Sequence, residues 1–558
     1  MKKFASLLLA VLMICTMIPL SALPAFAEDT GGFTWPFGKG AGTAENPYTI
    51  SSYNQLKRLA DEVNGGADVT GIYFKLTQST AFNLFTPIGT TDHPFKGHFD
   101  GGGNIVLIRM DKPDKNYLGL FGCAEGAEIK NVYWQGNIAG HNYIGGICGY
   151  CKDTTITNCG YKTIGNIDGS VTGSGSTDGK SCYIGGICGC MINGTISDCS
   201  MEGSVINNST EDNEQAYTGG ICGYIEGDVS NCTCAGSITL DKNFNQHNAG
   251  GICGYLKGDI ENCSNSAEVF AAIRKPDGTL KDSMSTAIGG ICGYLMGGAS
   301  VNCINSGAVT GGAAVGGICG VVDQGYILNA TNKGVVTTFS INGGGICGML
   351  LTSSISDGGI FNCVNKADFQ ILDGATQCGG IAGDCAFQIV NCISTGGPAI
   401  LGSSTSYEGG IVGFITNPED LHHSYCNGDY SLFINELSSG AVGEAMNAWM
   451  PMRDLLRSTE QLKSPDMLVE FNEYAREVEK EIPQLHLLEW VKDEDGFPCL
   501  EYPKTEVPAG TGSVLSNGNL WIVVAIAVVA VGGVAALVIV KKKKKKPAVE
   551  GGENTDEE

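Results

Sequence analysis

Gly250-Gly251-Ile252-Cys253-Gly254 is one of nine copies of a single block in this 558-residue chain, and the spacing of the copies decides the fold. The blocks begin at Gly145, Gly185, Gly219, Gly250, Gly289, Gly316, Gly344, Gly379 and Gly409, and a related Leu118-Gly119-Leu120-Phe121-Gly122 precedes them. Consecutive copies lie 27 to 40 residues apart, and seven of the nine carry Cys in fourth place. Self-similarity at such a period signals a solenoid or an array. Each block is followed by a second short apolar mark, as in Ile156-Thr157-Asn158-Cys159 and Ile260-Glu261-Asn262-Cys263, and then by a third, such as Gly203-Ser204-Val205. Three β-like segments per period, each bounded by Gly, Asn, Asp or Ser, suit a coil whose every turn has three faces. A parallel β-solenoid stacks the same position of successive turns about 4.8 Å apart, so one residue type repeated becomes a ladder. The Ile, Cys and Asn columns are expected to be inward ladders of this kind. The repeat positions taken as structural are Gly145, Gly146 and Cys148; Gly185, Gly186 and Cys188; Gly219 and Cys222; Gly250 and Cys253; Gly289 and Cys292; Cys319 and Cys347; and Asn158, Asn262, Asn302, Asn362 and Asn391.

These repeats resemble the GLUG-motif repeats of bacterial cell-surface proteins, whose pattern is a Gly-Gly-Ile-Val-Gly block, an Ile-x-Asn-Cys segment and a Gly-containing turn. The leader Gly42-Thr43-Ala44-Glu45-Asn46-Pro47-Tyr48 and the stretch Phe95-Lys96-Gly97-His98-Phe99-Asp100-Gly101 fit the same resemblance, which covers residues 40 to 503. It implies an all-β, right-handed parallel β-solenoid (β-helix) with small helical caps at both ends. The chain departs from the pattern by writing Cys where Val is usual. Some IgA-specific metallopeptidases carry GLUG repeats beside a zinc helix, but no His-Glu-x-x-His occurs here.

Residues 1–27 have the layout of a cleavable secretory signal: Lys2 and Lys3, an apolar run, then Ala25-Phe26-Ala27. At the other end, residues 520–540 carry no charge and Lys541 to Lys546 follow directly, which predicts a transmembrane helix with a cytoplasmic tail over 541–558. Between them the expected layout is an N-terminal leader and helical cap over 28–117, the solenoid over 118–430, a C-terminal α-containing cap over 431–503 and a linker over 504–519. Within the leader, Ser52 and Gln55 with Leu56, Leu59, Ala60 and Val63 on one face read as a capped amphipathic helix.

The formal net charge is −24, and eight of the lysines lie in the two ends, so the region between is more acidic still. Such a field repels nucleic acid and favours solubility. Twenty-four cysteines in a secreted chain would suggest disulfides, and in six turns a block Cys is followed 10 to 16 residues later by another, as Cys148 by Cys159. Two turns have lost one member, at Ala330 and Ala382. Single loss favours buried thiols acting as compact hydrophobes, with several disulfides as the alternative; metal is disfavoured because Cys148-Gly149-Tyr150-Cys151 has no matching second pair.

No Gly-x-Ser-x-Gly or phosphate loop occurs. Candidate polar groups such as Asp323, Lys333 and Asp357, the histidines His93, His98, His422 and His423, and the pair Asp493 and Asp495 read as solvated turn residues. The expected function is therefore a surface-anchored adhesion or binding scaffold, not an enzyme, with no cofactor and no catalytic residue. Its expected partners are the membrane, through a single-pass C-terminal anchor, and an extracellular glycan or matrix protein. Recognition is assigned to three inserts, Gly160 to Lys180, Asn207 to Tyr217 and Ala271 to Thr286. The alternatives are a passive stalk or surface-layer element, and a carbohydrate-active enzyme on the same coil.

Overall fold

A computed structural model describes residues 39–83, 86–163, 169–174, 181–209, 215–240, 247–274, 280–281, 286–351, 358–372, 375–400, 408–416, 420–429, 442–445, 455–503, 522–527 and 536–541. The expected signal over 1–27 and linker over 504–519 lie outside these residues.

One period shows how the coil is wound. Ala216–Gly219 runs along a short sheet, Cys222–Ser230 along a long sheet, and Thr233–Cys234 with Ser237–Leu240 along an opposite sheet, before His247–Gly250 rejoins the short sheet one turn on. The pairing is parallel and in register at every face: Ala216 lies beside His247, Cys222 beside Cys253, Val229 beside Ile260 and Ile238 beside Val269. Among the described residues the short sheet contains nine strands and the long sheet 22. The parallel β-solenoid expected from the repeat is thus the architecture of the chain.

The Gly-Gly-Ile-Cys-Gly block makes the corner between the short and long sheets, and its glycines are there because backbones pass too close for a side chain. A Cβ at Gly250 would stand 2.7 Å from the Ile291 carbonyl oxygen, and one at Gly254 would stand 2.6 Å from that of Gly223. One at Gly251 would meet Asn265 Nδ2 at 2.6 Å. Ile252 and Cys253 point inward and are fully buried. At the next corner the Asn of Ile-x-Asn-Cys takes left-handed backbone, with φ of 50° at Asn158, 54° at Asn262 and Asn302, 55° at Asn362 and 56° at Asn391. Asn tolerates that region better than most L-residues. This corrects the expectation of an inward Asn column: these amides sit on the outside of the corner, where Asn158 and Asn262 are exposed. They still form a ladder, with Asn302 Nδ2 donating to Asn262 Oδ1 at 3.1 Å and Asn391 Nδ2 to Asn362 Oδ1 at 2.8 Å.

The inward asparagine ladder is a different one. Asn265, Asn305, Asn332 and Asn365 are buried in the opposite sheet, each amide passing a hydrogen bond of 2.9–3.2 Å to the same position of the next turn, ending on Ser394 Oγ.

The expected N-terminal helix spans Tyr53–Asn64; Ser52 accepts from Gln55 N, and Leu56, Leu59, Ala60 and Val63 are buried in the main core. The C-terminal piece differs from expectation. Val442–Ala445 continues the long sheet, Leu456–Arg457 pairs with Cys426–Asn427, and helices span Thr459–Leu462 and Pro465–Glu481. The segment after them runs back along the flank of the preceding turns instead of sealing the end. Leu328, Phe361 and Val390 on the coil pack with Val478, Ile482 and Leu485, while Val364, Ile393 and Tyr425 pack with Met467, Phe471 and Trp490. The outer Asn ladder supplies the polar half of this dock: Asn329 Nδ2 donates to His486 O, Asn362 Nδ2 to Leu488 O, and Asn391 Nδ2 to Phe471 O. Trp490 Nε1 donates to Asn362 Oδ1 at 2.5 Å.

The predicted transmembrane helix over 520–540 is also not what the structure contains. Ile522–Ala527 pairs antiparallel with Ala536–Lys541, and no helix among the described residues is long and apolar enough to cross a membrane. The run is rich in Val and Ile, whose branched side chains suit strands, and Gly532-Gly533 interrupts it midway.

Candidate functional site

The repeat cysteines form two inward columns. Cys148, Cys188, Cys222, Cys253, Cys292, Cys319 and Cys347 are consecutive neighbours in the long sheet, continued by Ala382 and Val412. All 23 described cysteines are free thiols, and all but Cys499 are buried. Their contacts run along the columns, between turns: Cys199 shares hydrogen bonds with Cys159 behind it and Cys232 ahead. In the second column several sulfurs also accept a backbone amide from the turn before, as Cys199 Sγ does from Cys159 N and Cys392 Sγ from Cys363 N, both at 3.4 Å. Ser424 Oγ does the same for Cys392 N at 3.1 Å. Ala330 lacks the acceptor but keeps its own N–H bond to Cys363 Sγ, which is why one member of a column can be lost alone. Burial pushes the Cys151, Cys222 and Cys253 thiols well above their ordinary range, so they are unreactive at neutral pH.

The candidate polar residues do not gather. Asp323, on the long sheet, accepts the Tyr294 hydroxyl at 3.0 Å, whereas Lys333 follows a strand of the opposite sheet; Asp357 lies outside the described residues. His98 stacks on Tyr73 with ring centroids 4.0 Å apart and contacts Glu128 at 3.0 Å. His423 stacks on Tyr474 at 3.6 Å, and burial depresses the neighbouring His422 to a pKa of about 4. Asp493 makes a plain turn, accepting from Phe497 N at 2.8 Å and pairing with Lys366 at 2.6 Å.

The structure instead reveals a feature that the repeat reading missed. Two columns of tyrosine run along the outside of the corner made by the glycine block. The first stacks Tyr117 on Tyr143, Tyr143 on Tyr183 and Tyr183 on Tyr217, with ring centroids 4.7, 4.7 and 5.3 Å apart. The second, on the long sheet, stacks Tyr224 on Tyr255 at 4.8 Å and Tyr255 on Tyr294 at 5.3 Å. Across the corner the columns meet edge-on, at 5.8 Å for Tyr183 with Tyr224 and 5.3 Å for Tyr217 with Tyr224. Offset-stacked and edge-to-face pairs are each worth about 0.5–1.5 kcal/mol beyond burial, so the ridge is rigid. Most of its rings are half-exposed, and Tyr217 is the more buried exception. Burial holds the phenols above the ordinary tyrosine value, so they remain protonated donors at neutral pH.

One ring is missing from the second column. Tyr150 and Tyr224 are both register neighbours of Cys190, which leaves a gap one ring long between them. Beside this gap the long sheet is irregular, with a register shift between Ile192 and Gly194. A groove of about 340 Å³ opens there, lined by Asn193, Gly194, Thr195, Glu226, Gly227 and Lys257. Glu226 joins groove to ridge: its carboxylate accepts the Tyr224 hydroxyl at 2.8 Å and lies 3.5 Å from Lys257 Nζ. The ridge's one signal in the sequence is positional: Tyr follows the block as Cys-Gly-Tyr at 148–150, 222–224, 253–255 and 292–294, and precedes it by two residues at Tyr143, Tyr183 and Tyr217.

The expected recognition inserts prove shorter than predicted. Ser170–Gly173, inside the first, is a strand of the opposite sheet, and Ile273–Arg274 with Leu280–Lys281 makes a small hairpin in the third. Residues 164–168, 175–180, 210–214, 275–279 and 282–285 lie outside the described residues.

No family model matches the chain, so its likeness to GLUG repeats rests on the motif. Over 111 residues, 18% of this chain and 12% of the relative, it is 30% identical to a protein of Evansella cellulosilytica described as a Gly-rich membrane protein. Over 171 residues, 28% of this chain and 2% of the relative, it is 28% identical to halomucin of Haloquadratum walsbyi. The matched stretches are thus a small part of either relative. Among solved structures, a protein of Bacteroides ovatus described as an immunoglobulin A1 protease aligns over 83% of this chain and 95% of its own, at 18% identity and a TM-score of 0.30.

Proposed function

We propose that the protein is a surface-displayed β-solenoid that binds an extracellular ligand along its tyrosine ridge, without chemical turnover. The observation that carries this reading is the ridge itself. Aromatic side chains held half-exposed and in register over consecutive turns, beside a polar groove, form a long preorganised surface, and preorganisation lowers the ordering cost of binding. The relatives, one described as a membrane protein, support a surface or membrane association. The apolar residues 520–540 and the block Lys541 to Lys546 supply the attachment in this reading, as a lysine cluster beside an apolar run favours the cytoplasmic side of a bilayer. Removing residues 519–558 should release the protein from the membrane fraction.

The test is an array of glycans and matrix proteins probed with the full chain in detergent, with mass spectrometry of the ligands afterwards. Retained and unaltered ligand, lost when Tyr224 and Tyr255 are replaced together, supports a binding scaffold. Cleaved ligand would overturn the non-enzymatic reading, and no retention by any ligand would leave a passive stalk.

A further inference from the structure

Resting on that reading, we infer that the ridge takes a linear, uncharged glycan laid along the coil axis, roughly one sugar residue per turn, with the Glu226 groove seating one residue. The periodicity is the first argument. The tyrosines of one column repeat at 4.7–5.3 Å, set by the strand spacing of a parallel sheet. That is close to the length one residue occupies in an extended β-linked glycan. A polymer with the same step can make the same contact at every turn, so affinity grows with chain length.

The chemistry of the surface is the second. Sugars offer rows of C–H groups that pack on aromatic rings and hydroxyls that need both donors and acceptors. Rings stacked along a column cover one another's faces and present edges and hydroxyls. At Cys190 no ring of the second column separates Tyr150 from Tyr224, which there meet the first column edge-on and are the rings a sugar could pack against. The groove beside it adds an amide at Asn193, a hydroxyl at Thr195, a carboxylate at Glu226 and an ammonium at Lys257.

Charge is the third. Along the second column two of the three phenols are tied to carboxylates, Tyr224 to Glu226 and Tyr294 to Asp323, while Tyr255 donates to Met296 Sδ. Lys257 is paired with Glu226. With a formal charge of −24 on the chain, an anionic polymer such as a uronate or nucleic acid would meet unbalanced repulsion. A folded protein partner is disfavoured by the shape of the site, a ridge only two rings wide, although apolar side chains at Val321 and Met349 continue its second column.

The experiment is isothermal titration of the full chain in detergent with cello-oligosaccharides of two, four and six residues, and with polygalacturonate. Binding that tightens at least tenfold from the dimer to the hexamer, with no binding of polygalacturonate, is the expected result. Tyr255→Ala should weaken hexamer binding about tenfold, and Glu226→Gln should weaken it while leaving the tyrosine stack intact. Tyr255→Phe, which keeps the ring, should bind nearly as well and so separates a lost contact from a lost fold. Hexamer binding unaffected by Glu226→Gln and Tyr255→Ala would overturn the placement of the site. Preference for polygalacturonate, or for a matrix protein on the array with no glycan retained, would overturn the glycan inference and leave the binding scaffold standing.

Discussion

Replacing Asn332 by Ala should be among the costliest single amide deletions in the coil, because that side chain closes four hydrogen bonds in a fully buried position, as Asn305 does one turn before. Its Nδ2 donates to Gly334 O and to Asn365 Oδ1, both at 3.0 Å, and its Oδ1 accepts from Gly334 N at 3.2 Å and from Asn305 Nδ2 at 2.9 Å. Asn305 keeps a second bond, to Gly307 O, so the loss falls on the two backbone groups of Gly334 and on Asn365 Oδ1. A buried polar group left without a partner costs about 1–3 kcal/mol. The two Gly334 groups alone put the loss at roughly 2–6 kcal/mol, large beside the ~1 kcal/mol of an average substitution. Asn332→Ser should cost about half as much, because serine already holds the same column at Ser394, where its hydroxyl accepts from Asn365. The assay is equilibrium urea unfolding followed by tryptophan fluorescence, with hydrogen exchange on the turns around Asn332, since a repeat array opens locally as well as globally. If Ala and Ser substitutions cost the same, or if Ala costs less than about 1 kcal/mol, the ladder is not what holds these turns in register.

Three further outcomes are expected of the same fold. Burial depresses His247 to a pKa of about 3, below its unfolded value of ~6.5; its contribution is complete above pH ~6.5 and is lost as pH falls toward 3, so His247→Ala should flatten the acid limb of a stability profile. Native protein should resist alkylation at nearly all its thiols while urea-unfolded protein reacts without reductant, and an unfolded protein that stays unreactive would contradict the free columns. Trp490→Ala should free the C-terminal arm, because it empties a buried aromatic site at about 3–5 kcal/mol and removes the bond to Asn362; limited proteolysis within 455–503 with the coil intact would register it.

The coil was legible in the sequence because one physical constraint is repeated nine times. Backbones converge at each corner, only glycine fits, and the resulting Gly-Gly-Ile block marks every turn. Where a constraint acts once, the pattern was harder to see. The arm's docking site is written in the residue before each corner Asn or Asp: Lys130, Thr157, Ser197, Ser230 and Glu261 are register neighbours in the early turns, and Val301, Leu328, Phe361 and Val390 continue the column. Outward positions that turn apolar halfway along a solenoid require a cover, and the helical segment after residue 455 is the cover that packs on them. Read without that column, the same segment looks like an end cap, because an amphipathic helix alone does not say which apolar surface it will meet.

The tyrosines were hidden for a different reason. Counted across the chain they are 19 among 558 residues, too few to suggest an aromatic surface. Their effect depends on register: Tyr224, Tyr255 and Tyr294 become one stack only because each lies two residues beyond a block Cys that the sheet aligns. A repeat protein therefore concentrates sparse residues into a continuous surface by aligning them, and composition averaged over its length underestimates what its outside can bind. The register that makes the fold legible is also what locates the site, so each position is best compared with its counterpart one turn away, not with its neighbours in sequence.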